Sequence, residues 1–383
     1  MEKPVRVLHM INSLHFGGSQ AFIMSVYRNI DRTRLQFDFV VTPEEEKDLY
    51  EEVRKMGGRI FVCPKYTFIN HFTYLKWWEH FFTEHPEFKI IHGHVRSTSA
   101  IYLSIAKKHG LTTIAHSHST SNGKGLLGLV KTIMQHPTRY IADYLFSCSD
   151  LAGKWMYGEK ATKQDNYQMI PNGIDIHRFT YSEAKRKTVR QSLGILEDEF
   201  VIGHIGRFTK PKNHIFLLQT FSAYLKKHPH SRLLLVGDGT LLQPMKKTCG
   251  QMNIMNHVIF TGARSNTEDY YQVMDVFAFP SLWEGLPVSV VEAQASGLPC
   301  LISDNITRNV QLTSLPKYLP VTDMTAWLNA FETESQKQRS GCSEDNQRKL
   351  RAFDAKEVAR EHAAFYLNFD RKSVAEGEGV DIG

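Results

Sequence analysis

Short apolar segments recur along the chain, separated by stretches with helical patterning. In the first half they occupy residues 5–11, 37–41, 59–64, 90–94, 112–118 and 144–149, and in the second half residues 200–207, 232–239, 257–262, 275–281 and 299–304. Runs nearly continuous in Val, Ile, Leu and Phe are typical of parallel strands that helices cover on both faces. The alternation therefore predicts an α/β protein with two doubly wound parallel sheets.

A cluster of Pro, Asn and Gly in YQMIPNGIDIHRF, residues 167–179, indicates a linker between the two series. We expect a first domain over residues 1–178 and a second over residues 179–354, with a cleft between them. The tail, residues 370–383, lacks a packing pattern and is predicted to be disordered. In open α/β sheets ligands bind beyond the carboxyl ends of the strands, so the chemistry is expected there.

Composition and charge narrow the class of protein. The net charge of +6 permits anionic partners, but the basic residues are dispersed and no nucleic-acid-binding signature occurs. No window reaches the ~18 uninterrupted apolar residues of a membrane span. The N-terminus reads as a strand rather than a signal peptide. The five cysteines form no C-x-x-C pair, which favours reduced thiols and a cytoplasmic protein.

The segment GRFTKPKN, residues 206–213, gathers basic side chains where a predicted strand ends. Arg207 can bond phosphate oxygens bidentately, and Lys210 and Lys212 add point charges, which suits a diphosphate. Taken by itself, the segment is better interpreted as a solvated basic turn, and the glutamate-containing helix described next changes that balance.

The segment PSLWEGLPVSVVEAQASGLP, residues 280–299, predicts a helix with Pro287 in its first turn and Gly297 at its C-terminal cap. Free amides near Gly285 and Leu286 would form an anion site. Because the helix N-terminus would bind the anion, Glu292 can accept hydrogen bonds from a vicinal diol such as a ribose. Glu284 can then contact a sugar or a developing cation. Alternatively, both acids only favour the helix N-terminus electrostatically.

Two further patterns follow predicted strands. Gly17 and Gly18 allow a ligand to approach the backbone, although a lone Gly-Gly is often only a turn. The VGDG segment lacks the third glycine and the downstream acid of a dinucleotide fingerprint, so we expect no nicotinamide or flavin. His92, His94, His116 and His118 end two strands as H-G-H and H-S-H. Without a nearby carboxylate or Cys, a polar cleft-lining role is favoured over a metal site.

Taken in order, these motifs resemble family 4 of the GT-B glycosyltransferases, and more narrowly the bacterial exopolysaccharide and capsule glycosyltransferases. The resemblance runs from Val5 to about Phe369. Its landmarks are GGSQ (17–20), NIDRTRLQFDFVV (29–41), IAHSHS (114–119), PNGID (171–175), GRFTKPKN (206–213), VGDG (236–239), VIFTGAR (258–264) and FPSLWEGLPVSVVEAQASGLP (279–299). The family commonly has Gly-Gly-x-Glu where this chain has Gln20, which puts an acidic role there in doubt.

The resemblance implies GT-B architecture, in which two Rossmann-like domains face a central cleft and a C-terminal helix, here residues 355–369, returns to the N-terminal domain. It implies an acceptor-binding first domain, a nucleotide-sugar-binding second domain, and retaining transfer without metal or cofactor. UDP is the expected donor nucleotide, carrying a hexose or N-acetylhexosamine. The expected acceptor is a lipid-linked surface polysaccharide.

Carried over by residue, the resemblance implies two kinds of site. The expected catalytic residues are His116, with His118 as the alternative register, and Glu284. The expected donor-binding residues are Gly17, Gly18, Arg207, Lys212, Ala263, Arg264, Gly285, Leu286, Pro287 and Glu292. A non-catalytic nucleotide-sugar-binding partner in a glycosyltransferase complex is the second hypothesis, and a nucleotide-sugar epimerase is the third.

Peripheral contact with the inner face of the cell membrane, alongside other polysaccharide-assembly enzymes, is a further hypothesis. In residues 124–144 apolar positions recur at helical spacing together with Lys131 and Arg139, and Trp77 and Trp78 lie in another apolar helical stretch. Ordinary core helices would give the same pattern.

Overall fold

The computed structural model describes residues 3–15, 17–46, 49–120 and 125–377. The chain forms two compact units, a first unit of Met1–Gly173 with Ala355–Gly383 and a second unit of Ile174–Asp354. The division falls a few residues before the predicted boundary at 178. Ile174 pairs with Asp354 in a parallel bridge, and a 3-10 turn at Ile176–Phe179 packs on helices of the second unit.

The first unit contains a parallel sheet of seven strands in the order β3-β2-β1-β4-β5-β6-β7 among its described residues. The strands are β1 (Val5–Met10), β2 (Leu35–Val41), β3 (Ile60–Val62), β4 (Ile90–Gly93), β5 (Thr112–Ser117), β6 (Tyr144–Ser147) and β7 (Tyr167–Met169). The helices are α1 (Gly18–Asn29), α2 (Tyr50–Lys55), α3 (His71–Glu84), α4 (Ser99–Lys108), α5 (Leu126–Gln135), α6 (Thr138–Ile141) and α7 (Asp150–Tyr157).

The second unit contains a parallel sheet of six strands in the order β10-β9-β8-β11-β12-β13 among its described residues. The strands are β8 (Phe200–Ile205), β9 (Ser231–Val236), β10 (Val258–Gly262), β11 (Val276–Phe279), β12 (Cys300–Ser303) and β13 (Pro316–Leu319). The helices are α8 (Glu183–Ser192), α9 (His214–Leu225), α10 (Leu242–Gln251), α11 (Thr267–Val273), α12 (Val288–Ala295), α13 (Met324–Ser335) and α14 (Glu344–Leu350). Both sheets reverse strand order next to their first strand, as in doubly wound folds.

Two edge strands escaped the sequence analysis. β7 lies inside the segment predicted as a linker, and β13 follows the last predicted strand. Both are short. Gln168 and Met169 of β7 are exposed, and β13 begins with Pro316. Such features are usual at sheet edges, where few backbone groups need a partner, and they leave no continuous apolar run to detect.

The last helix, α15 (Ala355–Gly377), packs on α1 and β1 of the first unit. It extends beyond Phe369 into the predicted disordered tail, of which residues 378–383 lie outside the described residues. Tyr366 is fully buried among residues of α1, β1 and β2. Removing such a side chain from water contributes about 1.5–3 kcal/mol, so α15 is an integral part of this core.

The opposite face of the first sheet is covered by α3, α4 and α7. Trp78 is fully buried there, and Trp77 is partly buried and stacks on Phe81 with ring centroids 5.0 Å apart. Trp78 is therefore a core residue, so the expectation that it contacts a membrane is wrong, and Trp77 packs against the same core.

Candidate active site

The loops after β8, β9 and β10 surround a cavity of about 470 Å³ in the second unit. Arg207, Asp238, Ala263 and Arg264 line it. Three of the four residues are predicted donor-binding residues, and the structure brings them together although they are dispersed in the sequence. The two arginines give the cavity a positive rim, which suits a phosphorylated ligand.

The floor of this cavity depends on close contact between two loops. Gly237 and Gly239 have φ angles of 145° and 150°, which favour glycine. A Cβ at Gly237 would lie 2.1 Å from the carbonyl oxygen of Gly206, and one at Gly239 would lie 2.6 Å from that of Phe208. The VGDG segment is thus required for loop packing, which explains its glycines without a dinucleotide fingerprint.

Lys212 and Glu284 form an ion pair beside this cavity. Lys212 Nζ lies 2.8 Å from Glu284 Oε1 and 4.6 Å from the centroid of the Phe279 ring. A Cβ placed on Gly206, which lines the cavity, would be 3.2 Å from Lys212 Cε. Lys212, which is predicted to bind phosphate, and Glu284, which is predicted to bind the sugar, are therefore in direct contact.

Backbone contacts fix the two loops that carry this pair. The backbone N–H of Leu282 donates to the carbonyl of Pro211 at 2.7 Å. The side-chain amide of Asn213 donates to the backbone carbonyl of Pro280 at 3.2 Å. Asn213 adopts the left-handed conformation at the start of α9, which Asn tolerates better than most residues. These hydrogen bonds hold the two loops together, and the loops in turn bring Lys212 and Glu284 close to each other.

Helix α12 begins at Val288, with Pro287 as its N-cap, so Pro287 lies just before the helix rather than inside its first turn. No side chain caps this end and its first turn has no acidic residue. Gly285 and Leu286 precede the N-terminus, where the helix dipole favours an anion. At the other end Gly297 has φ 72°, and Leu298 N–H donates to the carbonyl of Ala293, which confirms the glycine cap.

Glu292, on the second turn of α12, has a partner that sequence analysis missed. The Tyr271 hydroxyl donates to Glu292 Oε2 at 2.8 Å. Burial raises the pKa of the Glu292 carboxyl to about 7, although the Tyr271 hydrogen bond and the charge of Arg178 oppose that shift. Arg178 itself pairs with Glu268 at 2.7 Å. A carboxyl group with a pKa near 7 ionises around neutral pH, and the ionised form can accept hydrogen bonds from a diol.

In the first unit, Gly17 is the N-cap of α1 and Gly18 is its first residue. A Cβ at Gly18 would meet no atom within 4 Å, so the backbone there is open to a ligand. The Gln20 amide group donates to the carbonyl of Ser13 at 2.9 Å. A glutamate could not donate this bond when ionised, and Gln20 therefore supports the loop instead of supplying an acid.

The predicted histidines form two hydrogen-bonded chains at the carboxyl end of the first sheet. His92 bonds Tyr366 at 2.6 Å through Nδ1 and His116 at 3.2 Å through Nε2. His94 bonds His9 at 3.1 Å and His118 at 2.8 Å. His9 and Tyr366 belong to β1 and α15, so no local motif could reveal them.

These histidines are electrically neutral at neutral pH. Burial and the neighbouring imidazoles hold the pKa of His92, His94 and His116 well below the usual value. Burial lowers the pKa of His118 to about 3, with the Arg96 charge acting in the same direction. Among the described residues, His116 Nε2 and His118 Nδ1 are buried and have no hydrogen-bond partner, whereas the other ring nitrogen of each is bonded.

The same cluster contains two histidine triads whose ring nitrogens lie within 4.8 Å of one another, His9 with His92 and His94, and His94 with His116 and His118. Three imidazoles at such distances could ligate a metal. Their contacts of 2.8–3.2 Å are those of hydrogen bonds between neutral rings, a role that needs no ion.

Two family profiles match most of the chain. The family described as Glycosyltransferase Family 4 matches residues 16–178, and Glycosyl transferases group 1 matches residues 185–313. The first match lies mostly in the first unit, and the second lies within the second unit. The chain belongs to the family 4-like glycosyltransferases of the GT-B fold.

Individual relatives agree with this assignment. The chain is 34% identical over 312 residues to the "Putative glycosyltransferase EpsF" of Bacillus subtilis (strain 168), covering 80% of each chain. It is 33% identical over 144 residues to the "UDP-Gal:alpha-D-GlcNAc-diphosphoundecaprenol alpha-1,3-galactosyltransferase" of Escherichia coli, covering 37% of each. Among solved structures, HepE of Anabaena in complex with UDP superposes with a TM-score of 0.78 at 16% identity, covering 95% of this chain and 100% of that one. This last similarity supports the fold.

Within the part of the chain that the structure describes, no helix is long and apolar enough to cross a membrane.

Proposed function

We propose that this glycosyltransferase moves a hexose or N-acetylhexosamine from a UDP-sugar to a lipid-linked surface polysaccharide, with retention of configuration and without metal or cofactor. The observation that carries the proposal is the Lys212–Glu284 pair beside the cavity that Arg207 lines. It supplies a cation for the leaving diphosphate and an anion for the sugar within one polar group. The names of the relatives supply the donor and acceptor classes.

The charges match the reaction. The bond between the sugar C1 and the diphosphate oxygen breaks, and its electron pair leaves with UDP. The acceptor hydroxyl oxygen bonds to C1, and its proton passes to the departing diphosphate. Arg207, Lys212 and the α12 N-terminus offset the charge that grows on the leaving group, and Glu284 offsets the positive charge on the sugar.

Of the two candidate histidines, we assign the sugar-facing role to His118. His116 is 0% exposed and its Nδ1 is occupied by His92, so a substrate would have to open the core to reach it. His118 is partly exposed and follows the last residue of β5. Its Nε2 bonds His94 and its Nδ1 is buried, so a sugar would replace the His94 bond at the surface instead of opening the core. His116 then supports the histidine cluster from inside.

Peripheral membrane contact is part of the proposal. On α5, Leu126, Leu127, Leu129 and Ile133 are 77%, 69%, 58% and 63% exposed. An apolar helix face with Lys131 on the same helix is typical of interfacial helices. We place the enzyme on the cytoplasmic side of the membrane, where it would meet a lipid-linked acceptor.

A panel of UDP-, GDP- and ADP-sugars tests the donor. At about a hundredfold excess over Kd, a bound donor stabilises the fold by about 2.7 kcal/mol, so one UDP-sugar should raise Tm and be slowly hydrolysed to UDP. The Arg207→Ala variant should lose both effects. Stabilisation without hydrolysis or transfer would instead indicate the non-catalytic partner, and no response to any nucleotide sugar would refute the proposal.

A further inference from the structure

The first unit contains a second cavity, of about 430 Å³, that the donor site does not use. Segments that follow β1, β2, β3 and β4 line it, together with α5. Its lining includes Glu44, Lys65, Phe68, Lys131 and Met134. A cavity at the carboxyl edge of a parallel sheet is the usual place for a ligand in this kind of fold.

The cavity has uncompensated positive charge. Among the residues that the structure describes, neither Lys65 nor Lys131 forms an ion pair or a side-chain hydrogen bond. Glu44 supplies the one negative charge on this lining, so the two lysines leave a net charge of +1. Its Oε1 accepts from Leu14 N–H at 2.8 Å and from the Tyr50 hydroxyl at 2.9 Å, which hold the carboxylate on the side of the cavity next to α2 and the β1 loop. Two ammonium groups are therefore available to an anionic ligand.

The loop that presents Lys65 is braced. The Asn70 side chain donates to the carbonyl of Lys65 at 2.8 Å and accepts from the N–H of Thr67 at 2.8 Å. Phe68, which also lines the cavity, has φ 63°, a left-handed conformation that is unfavourable for a bulky residue. Strain of this kind in a fixed loop is a common mark of a ligand-binding segment.

The border of the cavity is apolar and exposed. Phe68, Ile69 and Phe72 are 49%, 97% and 76% exposed. Helix α5 lines the cavity with Lys131 and Met134 and carries the exposed leucines described above. Paired cations inside and apolar side chains outside fit a ligand that is an anion at one end and a hydrocarbon at the other.

We propose that this cavity binds the phosphate or diphosphate of the lipid-linked acceptor. Lys65 and Lys131 contact the phosphate oxygens, and the lipid chain lies along Phe68, Ile69 and the exposed face of α5. This inference rests on the proposed function, because it assigns the acceptor's anionic group to a specific site. Lysine is suited to the task as a flexible point charge.

Farnesyl diphosphate is a suitable probe, measured by calorimetry on the full chain saturated with UDP so that the donor site is filled. Each of Lys65→Ala and Lys131→Ala should weaken binding by about tenfold, as expected for one lost charge-assisted contact. Lys89→Ala is the matched control and should bind normally. Lys89 precedes β4, at the amino ends of the strands, whereas the cavity lies at their carboxyl ends. Both target lysines are exposed, so the variants should fold.

Two further ligands separate the contributions. Inorganic diphosphate and farnesol should each bind much more weakly than farnesyl diphosphate. Inorganic diphosphate binding as tightly would overturn the lipid assignment, and unchanged affinity in both lysine variants would overturn the site. If UDP binds the wild type normally while farnesyl diphosphate does not bind it, this inference fails and the proposed function stands. If the wild type binds no UDP, the proposed function itself fails.

Discussion

Lys212 Nζ lies 2.8 Å from Glu284 Oε1, although 71 residues separate them in the chain. Their side chains are 16% and 20% exposed, so the pair is neither fully hydrated nor sealed in the core. A diphosphate entering beside Lys212 would compete with Glu284 for the ammonium group. We therefore expect donor binding to release Glu284 toward the sugar.

The first prediction concerns the leaving group. Arg207→Ala and Lys212→Ala should each lower kcat by roughly 10²–10³, by analogy with the loss of one donor that stabilises transition-state charge. Lys226→Ala is the matched control, because Lys226 is an exposed lysine of the same unit at the opposite end of α9. Transfer rates at saturating donor decide the matter. Near-normal turnover in folded Arg207 and Lys212 variants would refute the diphosphate assignment.

The second prediction separates the two glutamates. Glu284→Gln should mainly reduce kcat, because the charge near the sugar matters most in the transition state. Glu292→Gln should mainly raise the donor KM and weaken UDP binding, because the ribose is remote from the bond that breaks. Full donor saturation curves and UDP titrations measure both effects. A change in KM alone for Glu284→Gln would contradict the assigned role.

The third prediction uses the raised pKa of Glu292, about 7 against an ordinary value of 4.5. The folded state holds this proton more tightly, so the free energy of unfolding should fall as pH rises from about 4.5 to about 7. The full effect is up to about 3 kcal/mol, at about 1.36 kcal/mol per pH unit. Glu292→Gln should lack this contribution. Denaturant titrations of both proteins across the window test it, and parallel pH profiles would count against a raised pKa.

Sequence patterns predicted the central strands of both sheets because those strands are continuous apolar runs. They also placed Arg207, Lys212 and the two glutamates at strand and helix ends, where the structure has them. They could not reveal Tyr271 beside Glu292, nor the bond between His92 and Tyr366, which are 274 residues apart. Such partners are set by tertiary packing, and only the fold brings them together.

The fourth prediction distinguishes the two histidines. His118→Gln should lower kcat with little change in Tm, because this side chain is partly exposed at the end of β5. His116→Gln should lower Tm more than kcat, because it disturbs a fully buried hydrogen-bonded cluster.

Chelation is the accompanying control. The enzyme dialysed against EDTA should keep its transfer rate, since the ring nitrogens bond one another. Loss of activity on dialysis, restored by a divalent cation and abolished in both histidine variants, would show that the triads hold a catalytic metal.

The fifth prediction concerns the membrane. Replacing Leu127 and Ile133, both exposed on α5, by serine should reduce flotation with vesicles that contain anionic lipid. The physical reason is that each exposed apolar side chain contributes buried area at the interface, and Lys131 adds attraction to anionic headgroups. Leu196→Ser is the matched control, because Leu196 is 61% exposed but belongs to the second unit. Flotation of the wild type should weaken with salt and with neutral lipid. If the wild type floats with neither vesicle type at low salt, the exposed face of α5 does not bind membranes.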